Sequence, residues 1–358
     1  MVDIMKGIAI IMIVNVHLVS GPFFSVGCTF HVIAFFYASG IIHGNRQRWD
    51  ELSMKEFILN RASRLLYPYF TLSFCYICFR LFLNVIRRGV LFDEVIIGSI
   101  ISTMTFRGIG TLWFLPVLLL AEILFFIAKK KQLRDWLIIV IGIISIIVSS
   151  YLNAYDICGK VWYNNSWYGL LVNAPISLFL ASIISVLFIE MGYVIYNYFP
   201  SVFKLKQKWG KRIWLVILIC ITSLVIDLTF LRFYRGDLHK LDIGNPFIYL
   251  ICSVSGVVFV STLSLLIEYY STVLSSLLGY WGRSSLIIMT THAEYFLNSI
   301  TFVALSGLFS ISNISVNEKL LSGLSLLVLL LVETGIVFIV NHSRLIYLYK
   351  IPQKRKQS

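Results

Sequence analysis

Charge is what this chain has least of. Only 13% of its 358 residues are Asp, Glu, Lys or Arg, about half of the roughly 25% that a soluble domain carries, so an ordinary water-facing surface is excluded. Acidic residues are the scarcer sign, 17 against 30 Lys and Arg, for a net charge of +13. Proline is sparse at seven residues, and no Pro- or Gly-rich stretch divides the chain, which argues against a linker between domains. The six cysteines (Cys28, Cys75, Cys78, Cys158, Cys220, Cys252) are scattered and mostly lie in apolar runs. Cys75 and Cys78 form a CxxC, but no second pair or histidine cluster stands near it, so they read as packing thiols and no metal is expected. What the chain has in quantity is apolar: 58% hydrophobic residues and a mean hydropathy of +0.86. Runs long enough for the ~20 helical residues that cross a hydrocarbon core recur from end to end. The lipid bilayer is therefore the solvent, and the basic excess serves orientation in it, with no nucleic acid as a partner.

The apolar runs predict an all-α integral membrane protein of about ten transmembrane helices. They lie near 7–24, 28–44, 65–84, 111–128, 136–152, 169–190, 213–231, 247–267, 284–304 and 321–340. An even number puts both termini on one side. The segments on that side hold 21 Lys and Arg, whereas the opposite loops hold eight (Arg87, Arg88, Arg107, Lys160, Arg232, Arg235, Lys240, Lys319), with Arg80 inside a span. The bias predicts cytoplasmic termini. The apolar run from Ile8 has no small-residue cleavage site behind it and reads as a retained first span. Residues 85–110, partly apolar yet outside, suit an interfacial helix, a re-entrant helix or a half-span.

In such a protein, chemistry is sought among ionisable groups within spans, since each costs about 2.5–3.5 kcal/mol or more at mid-bilayer. The candidates are Lys6, His17, His31, Glu122, Glu190, Asp227, His292, Glu294 and Glu333. Lys6 and His17 are eleven residues apart, which leaves them about 20° apart on one helical face and about 16 Å apart in rise. A cation at the membrane edge and an imidazole near its middle thus line one groove, with Asp3 one turn before Lys6 as its partner. A snorkelling lysine and a packing histidine would share this pattern. His292 and Glu294 fall roughly 200° apart on a continuous helix and so on different faces.

The stretch DIMKGIAIIMIVNVH resembles the first-helix signature of the acyltransferase-3 family of integral membrane acyltransferases, a basic residue, ten others and a histidine, here Lys6 and His17. FFYASGII, with Ser39 and Gly40, is similar to the family's second span, apart from Ile after Gly. NRASRLLYPYF carries an RxxR as Arg61 and Arg64, ahead of Pro68. LWFLPVLLLAE supplies Trp113, Pro116 and a downstream Glu122, and LGYWGRSSLIIMTTH supplies Gly282, Ser285, Leu286 and His292. The likeness runs over about residues 3–345 and is nearest to stand-alone members similar to fucose 4-O-acetylases and to O-antigen or capsule O-acetyltransferases.

That resemblance implies an O-acetyltransferase of the bacterial inner membrane that moves an acetyl group from cytoplasmic acetyl-CoA to a hydroxyl of a cell-surface glycan or its lipid-linked precursor. Residues 1–345 would be the acyltransferase domain and 346–358 a basic cytoplasmic tail. His17 is implied as the catalytic group, either as base or as transient acyl carrier. Arg61 and Arg64, at i and i+3, present forked donors suited to the phosphates of the donor, with Lys6 at the same depth. Glu122 would orient His17 or a substrate hydroxyl as a second catalytic group, and Trp113 and His292 would contact the acceptor. The outer stretches 151–169 and 231–246 mix aromatic and polar residues in a way that suits sugars. A multi-pass transporter or flippase is the main rival, but no repeat between halves is visible and Lys6, Arg61 and Arg64 fit an ion pathway poorly. A polysaccharide polymerase would concentrate its arginines outside, where few lie.

Overall fold

In the computed structural model, the described residues are all but 19–29, 46–51, 155–173, 201–212, 232, 234–235, 296, 313–316 and 352–358. They form thirteen α-helices and two 3-10 turns: α1 (Val2–Val16), α2 (Ile33–Asn45), α3 (Met54–Arg88), α4 (Glu94–Met104), a 3-10 turn (Gly110–Trp113) running into α5 (Phe114–Lys130), α6 (Asp135–Ala154), α7 (Ala174–Tyr198), α8 (Ile213–Leu231), α9 (Pro246–Tyr270), α10 (Thr272–Arg283), α11 (Ser285–Thr291), α12 (Leu297–Ile311), α13 (Glu318–His342) and a 3-10 turn at Arg344–Leu348. Among the described residues there is no strand, only an isolated bridge between Asp237 and Asp242. Seven of these helices, α3, α5 with its leading turn, α6, α7, α8, α9 and α13, are long and apolar enough to cross a bilayer.

Local signals set the helix ends. Ser53 and Glu56 form a capping box at the start of α3, and Gly89, at φ +65°, closes it in the left-handed conformation that glycine adopts without strain. Asn245 caps α9 ahead of Pro246, whose missing N–H would have had no helical partner there. Pro68 sits inside α3, where Thr71 Oγ1 lies 2.9 Å from the Tyr67 carbonyl.

One expectation shifts and another gains detail. The single span near 284–304 is broken, with α11 ending at Thr291 and α12 starting at Leu297, so the wheel that set His292 against Glu294 does not apply to them. The segment 85–110 contains α4, an eleven-residue helix capped by Asp93, whose side chain accepts from the Ile96 N–H at 2.9 Å.

Small residues bring the helices close. A Cβ on Gly40 would overlap the Ile189 carbonyl and one on Gly192 the Tyr37 carbonyl, so α2 and α7 meet backbone to backbone. Gly7 and Gly282 do the same for α1 and α10. α1 also packs on α2, α9 and α11. Past α13 the chain docks again: the Tyr67 hydroxyl donates to the Tyr347 carbonyl at 2.7 Å, Thr71 Oγ1 to the Leu348 carbonyl at 2.6 Å, and Tyr349 Oη lies 3.1 Å from Thr290 Oγ1.

Candidate active site

α1 ends at Val16, and His17 occupies its C-terminal cap at φ −87° and ψ −5°. The His17 N–H reaches back to the Val14 and Ile13 carbonyls, and its own carbonyl accepts from the Asn298 amide at 2.8 Å. The ring is exposed, with Nδ1 2.8 Å from the Ile13 carbonyl. It forms part of the wall of a cavity of about 560 Å³ that also involves His31, Trp113, His239 and Tyr249. That volume falls within the ~300–1,000 Å³ of ordinary small-molecule sites.

The C-terminal end of α11 carries His292 to the back of the His17 ring. It is fully buried, its Nδ1 is 2.7 Å from the Ile288 carbonyl, and its Nε2 is 3.3 Å from His17 Nδ1. The two rings meet edge to face at a centroid distance of 5.0 Å. Two residues on, Glu294 turns toward the start of α5, where its Oε1 accepts from the Thr111 N–H at 2.8 Å; Thr111 Oγ1 lies 2.8 Å from the Met289 carbonyl. Gly110, at φ +47°, permits this approach, because a Cβ there would overlap the Glu294 carboxylate.

The loop between α8 and α9 covers the other side. Asp237 and Asp242 exchange backbone hydrogen bonds at 3.0 and 2.9 Å, and Asp237 Oδ1 accepts from the His239 N–H at 2.9 Å. This turn lays the His239 ring flat on Trp113, with centroids 4.8 Å apart and planes 13° apart. Burial, opposed by Asp237 and reinforced by Arg107 and Lys240, pushes the His239 imidazole down to about 4, so it is neutral at physiological pH. Asp237, Lys240 and Asp242 bring charge to the rim.

Glu122 lies elsewhere. Its carboxylate is buried and meets Ser39 Oγ at 2.6 Å, His43 Nε2 at 3.3 Å and Arg61 Nε at 3.2 Å; His17 is not among these partners. The group that meets His17 is His292, for which the resemblance implies contact with the acceptor. Lys6 pairs with Asp3 at 2.9 Å, as the spacing suggested, and Arg283 lies 3.7 Å from the other Asp3 oxygen. Arg61 is half-buried and its guanidinium stands 5.5 Å from the Phe57 ring, whereas Arg64 is exposed. The structure thus brings His17 and Trp113 to one cavity, with His292 buried behind His17, and joins Glu122 to Arg61 outside it. Among the described residues no group of three or more His, Cys, Asp or Glu is placed to hold a metal ion.

Two participants went unremarked in the sequence. His43 stands four residues after Ser39, on the same helical face, and that spacing was a usable signal. The pairing of Thr111 with Glu294 joins residues 183 apart and left none. The aromatic and polar stretch 231–246 supplies His239, while 151–169 falls largely outside the described residues.

A family model described as an acyltransferase domain matches residues 2–342, nearly the whole chain. Comparison with curated proteins and with solved structures gives no match.

Proposed function

The chain belongs to the acyltransferase-3 family, and from that premise we propose that this membrane acyltransferase is an O-acetyltransferase, moving an acetyl group from acetyl-CoA to a hydroxyl of a cell-surface glycan or its lipid-linked precursor. The observation that carries the reading is the exposed His17 imidazole in the wall of a cavity large enough for a sugar.

The chemistry needs one proton moved twice. As the acceptor oxygen attacks the thioester carbonyl, His17 takes the hydroxyl proton and a C–O bond forms. The C–S bond then breaks, and the departing thiolate recovers the proton from His17. The protein's ring stack of Trp113 and His239 gives the apolar face of a sugar a flat wall, and Asp237, Lys240 and Asp242 offer hydroxyl partners at the rim.

The donor's phosphates would lie toward Arg61, Arg64 and Lys6. Glu122 acts as a positioning residue: through Nε it fixes the plane of the Arg61 guanidinium. Added to the seven long helices, crossings by the shorter α1 and α2 and by the broken α11–α12 pair would make the expected ten. With the basic segments on the inner side, an even number of crossings would leave both termini in the cytoplasm, as suits a bacterial inner-membrane enzyme drawing on cytoplasmic acetyl-CoA.

The test is acyl transfer from radiolabelled acetyl-CoA by the purified protein in nanodiscs, beside His17→Ala. Label released or transferred by the wild type and lost in a folded variant is the expected result. A folded wild type that neither binds nor turns over the donor would overturn the reading and favour a transported substrate.

A further inference from the structure

We propose that His292 is a positioning residue that works through His17, holding its ring so that Nε2 is the nitrogen offered to the substrate. This rests on the acyl-transfer reading above for its consequence, but on hydrogen-bond chemistry for its argument.

A carbonyl oxygen can only accept. His292 Nδ1 lies 2.7 Å from the Ile288 carbonyl, so that nitrogen carries a proton. In a neutral imidazole the other nitrogen then holds a lone pair, and His292 Nε2 is the acceptor in its 3.3 Å contact with His17. The His17 side agrees independently. Its Nδ1 is 2.8 Å from the Ile13 carbonyl, which again requires a proton there. One N–H is thus shared between the Ile13 oxygen and the His292 nitrogen, and the lone pair of neutral His17 is left on Nε2.

The chain of bonds has a direction: Ile288 carbonyl, His292 Nδ1–H, His292 Nε2, His17 Nδ1–H. When His17 Nε2 takes the acceptor proton, the ring becomes an imidazolium and its Nδ1–H becomes a stronger donor toward His292 Nε2. His292 therefore supports the charged form of the base without itself exchanging a proton with substrate. Complete burial of its ring and the edge-to-face contact with His17 keep this acceptor from swinging away. His292 is the helical C-cap of α11 and stands beside the end of α1.

Two measurements decide the matter. The first needs no activity: nitrogen NMR of the [15N]histidine-labelled protein in nanodiscs at neutral pH, with the His17 and His292 signals assigned from His17→Ala and His292→Leu. Expected are protonated Nδ1 and unprotonated Nε2 on both rings. A protonated Nε2 on His292 would reverse the chain and overturn the proposal.

The second compares His292→Leu, which removes the acceptor, with His292→Gln, whose side-chain oxygen can take the place of Nε2. His292→Leu should lower kcat on the order of 100-fold, at the low end of what a general base contributes. Its KM for acetyl-CoA should stay within about twofold, and His292→Gln should recover kcat to within about tenfold of wild type. Equal loss in the two variants, with both shown to be folded by thermal melting, overturns the role. A wild type that shows the expected protonation pattern but transfers no acyl group would sink the acyl-transfer reading and leave the hydrogen-bond chain standing.

Discussion

Around Glu122 the buried polar groups face one another, whereas the exposed His17 imidazole faces open space. The first cluster draws a carboxylate, a hydroxyl, an imidazole and a guanidinium from α2, α3 and α5 into a closed set of contacts between 2.6 and 3.3 Å. In the second, an exposed imidazole held from behind by His292 meets a cavity of about 560 Å³. Both sit in a lipid-solvated protein, where an unpaired ionisable group is costly. The contrast separates two reasons for keeping such groups. Mutual satisfaction ties helices together, and a group left facing space is available to a substrate.

The comparison can be broken most directly by exchanging the outcomes. His17→Ala should reduce acyl transfer by roughly 10²–10⁴-fold, the span of a general base, with little change in melting temperature. Glu122→Ala should do the reverse in rank. By leaving Arg61 and His43 without their carboxylate it should cost about 3–5 kcal/mol of stability, read as a lower midpoint of thermal unfolding in detergent. A stable but inactive Glu122→Ala would place that carboxylate in the chemistry after all.

A smaller effect sharpens the boundary between the two regions. Arg61→Ala and Arg64→Ala should raise KM for acetyl-CoA by about tenfold each, the scale of one hydrogen bond to a charged group, with smaller effects on kcat. Arg61→Ala should also lower the melting midpoint, because Arg61 belongs to the Glu122 cluster, and the exposed Arg64 should not.

The smallest effect concerns the cavity's outer wall. The imidazole of His239 is held near 4 in the folded loop, against a usual value near 6.5. Between these values the unfolded or opened loop binds more protons, so closure is fully favoured above about 6.5 and weakens as the pH falls toward 4. Limited proteolysis of the 236–243 loop should accelerate over that window, and His239→Gln should flatten the dependence. A loop equally resistant at pH 7 and pH 4.5 would remove His239 from the closure.

The histidine at the end of the first helix was legible because one helix relates residues eleven apart by its own geometry, and Lys6 with Asp3 followed by the same rule. Glu122 was legible as an intramembrane acid, but its company was not: His43, Arg61 and Ser39 come from two other helices. The ninth expected span failed as a continuous helix because SLIIMTTHAEYFLNSI has no Pro or Gly to mark a break, and its mean apolarity does not distinguish one helix from two short ones meeting at a turn. The end of α11 carries the second imidazole to the first, and the turn after it takes Glu294 to Thr111.

Amino-acid order alone determined that the chain lives in lipid, that its backbone must satisfy itself as helices there, and which polar residues share a face of any one of them. Those are consequences of composition and of a fixed rise and turn per residue. Only tertiary structure decided that His17 meets His292, 275 residues away, and that Glu294 seats against Gly110 and Thr111. The reason is physical: the rotation and depth of one helix against another are set by contacts such as Gly40 on Ile189 and Gly7 on Leu278, summed over the whole bundle, and no local spacing carries that sum.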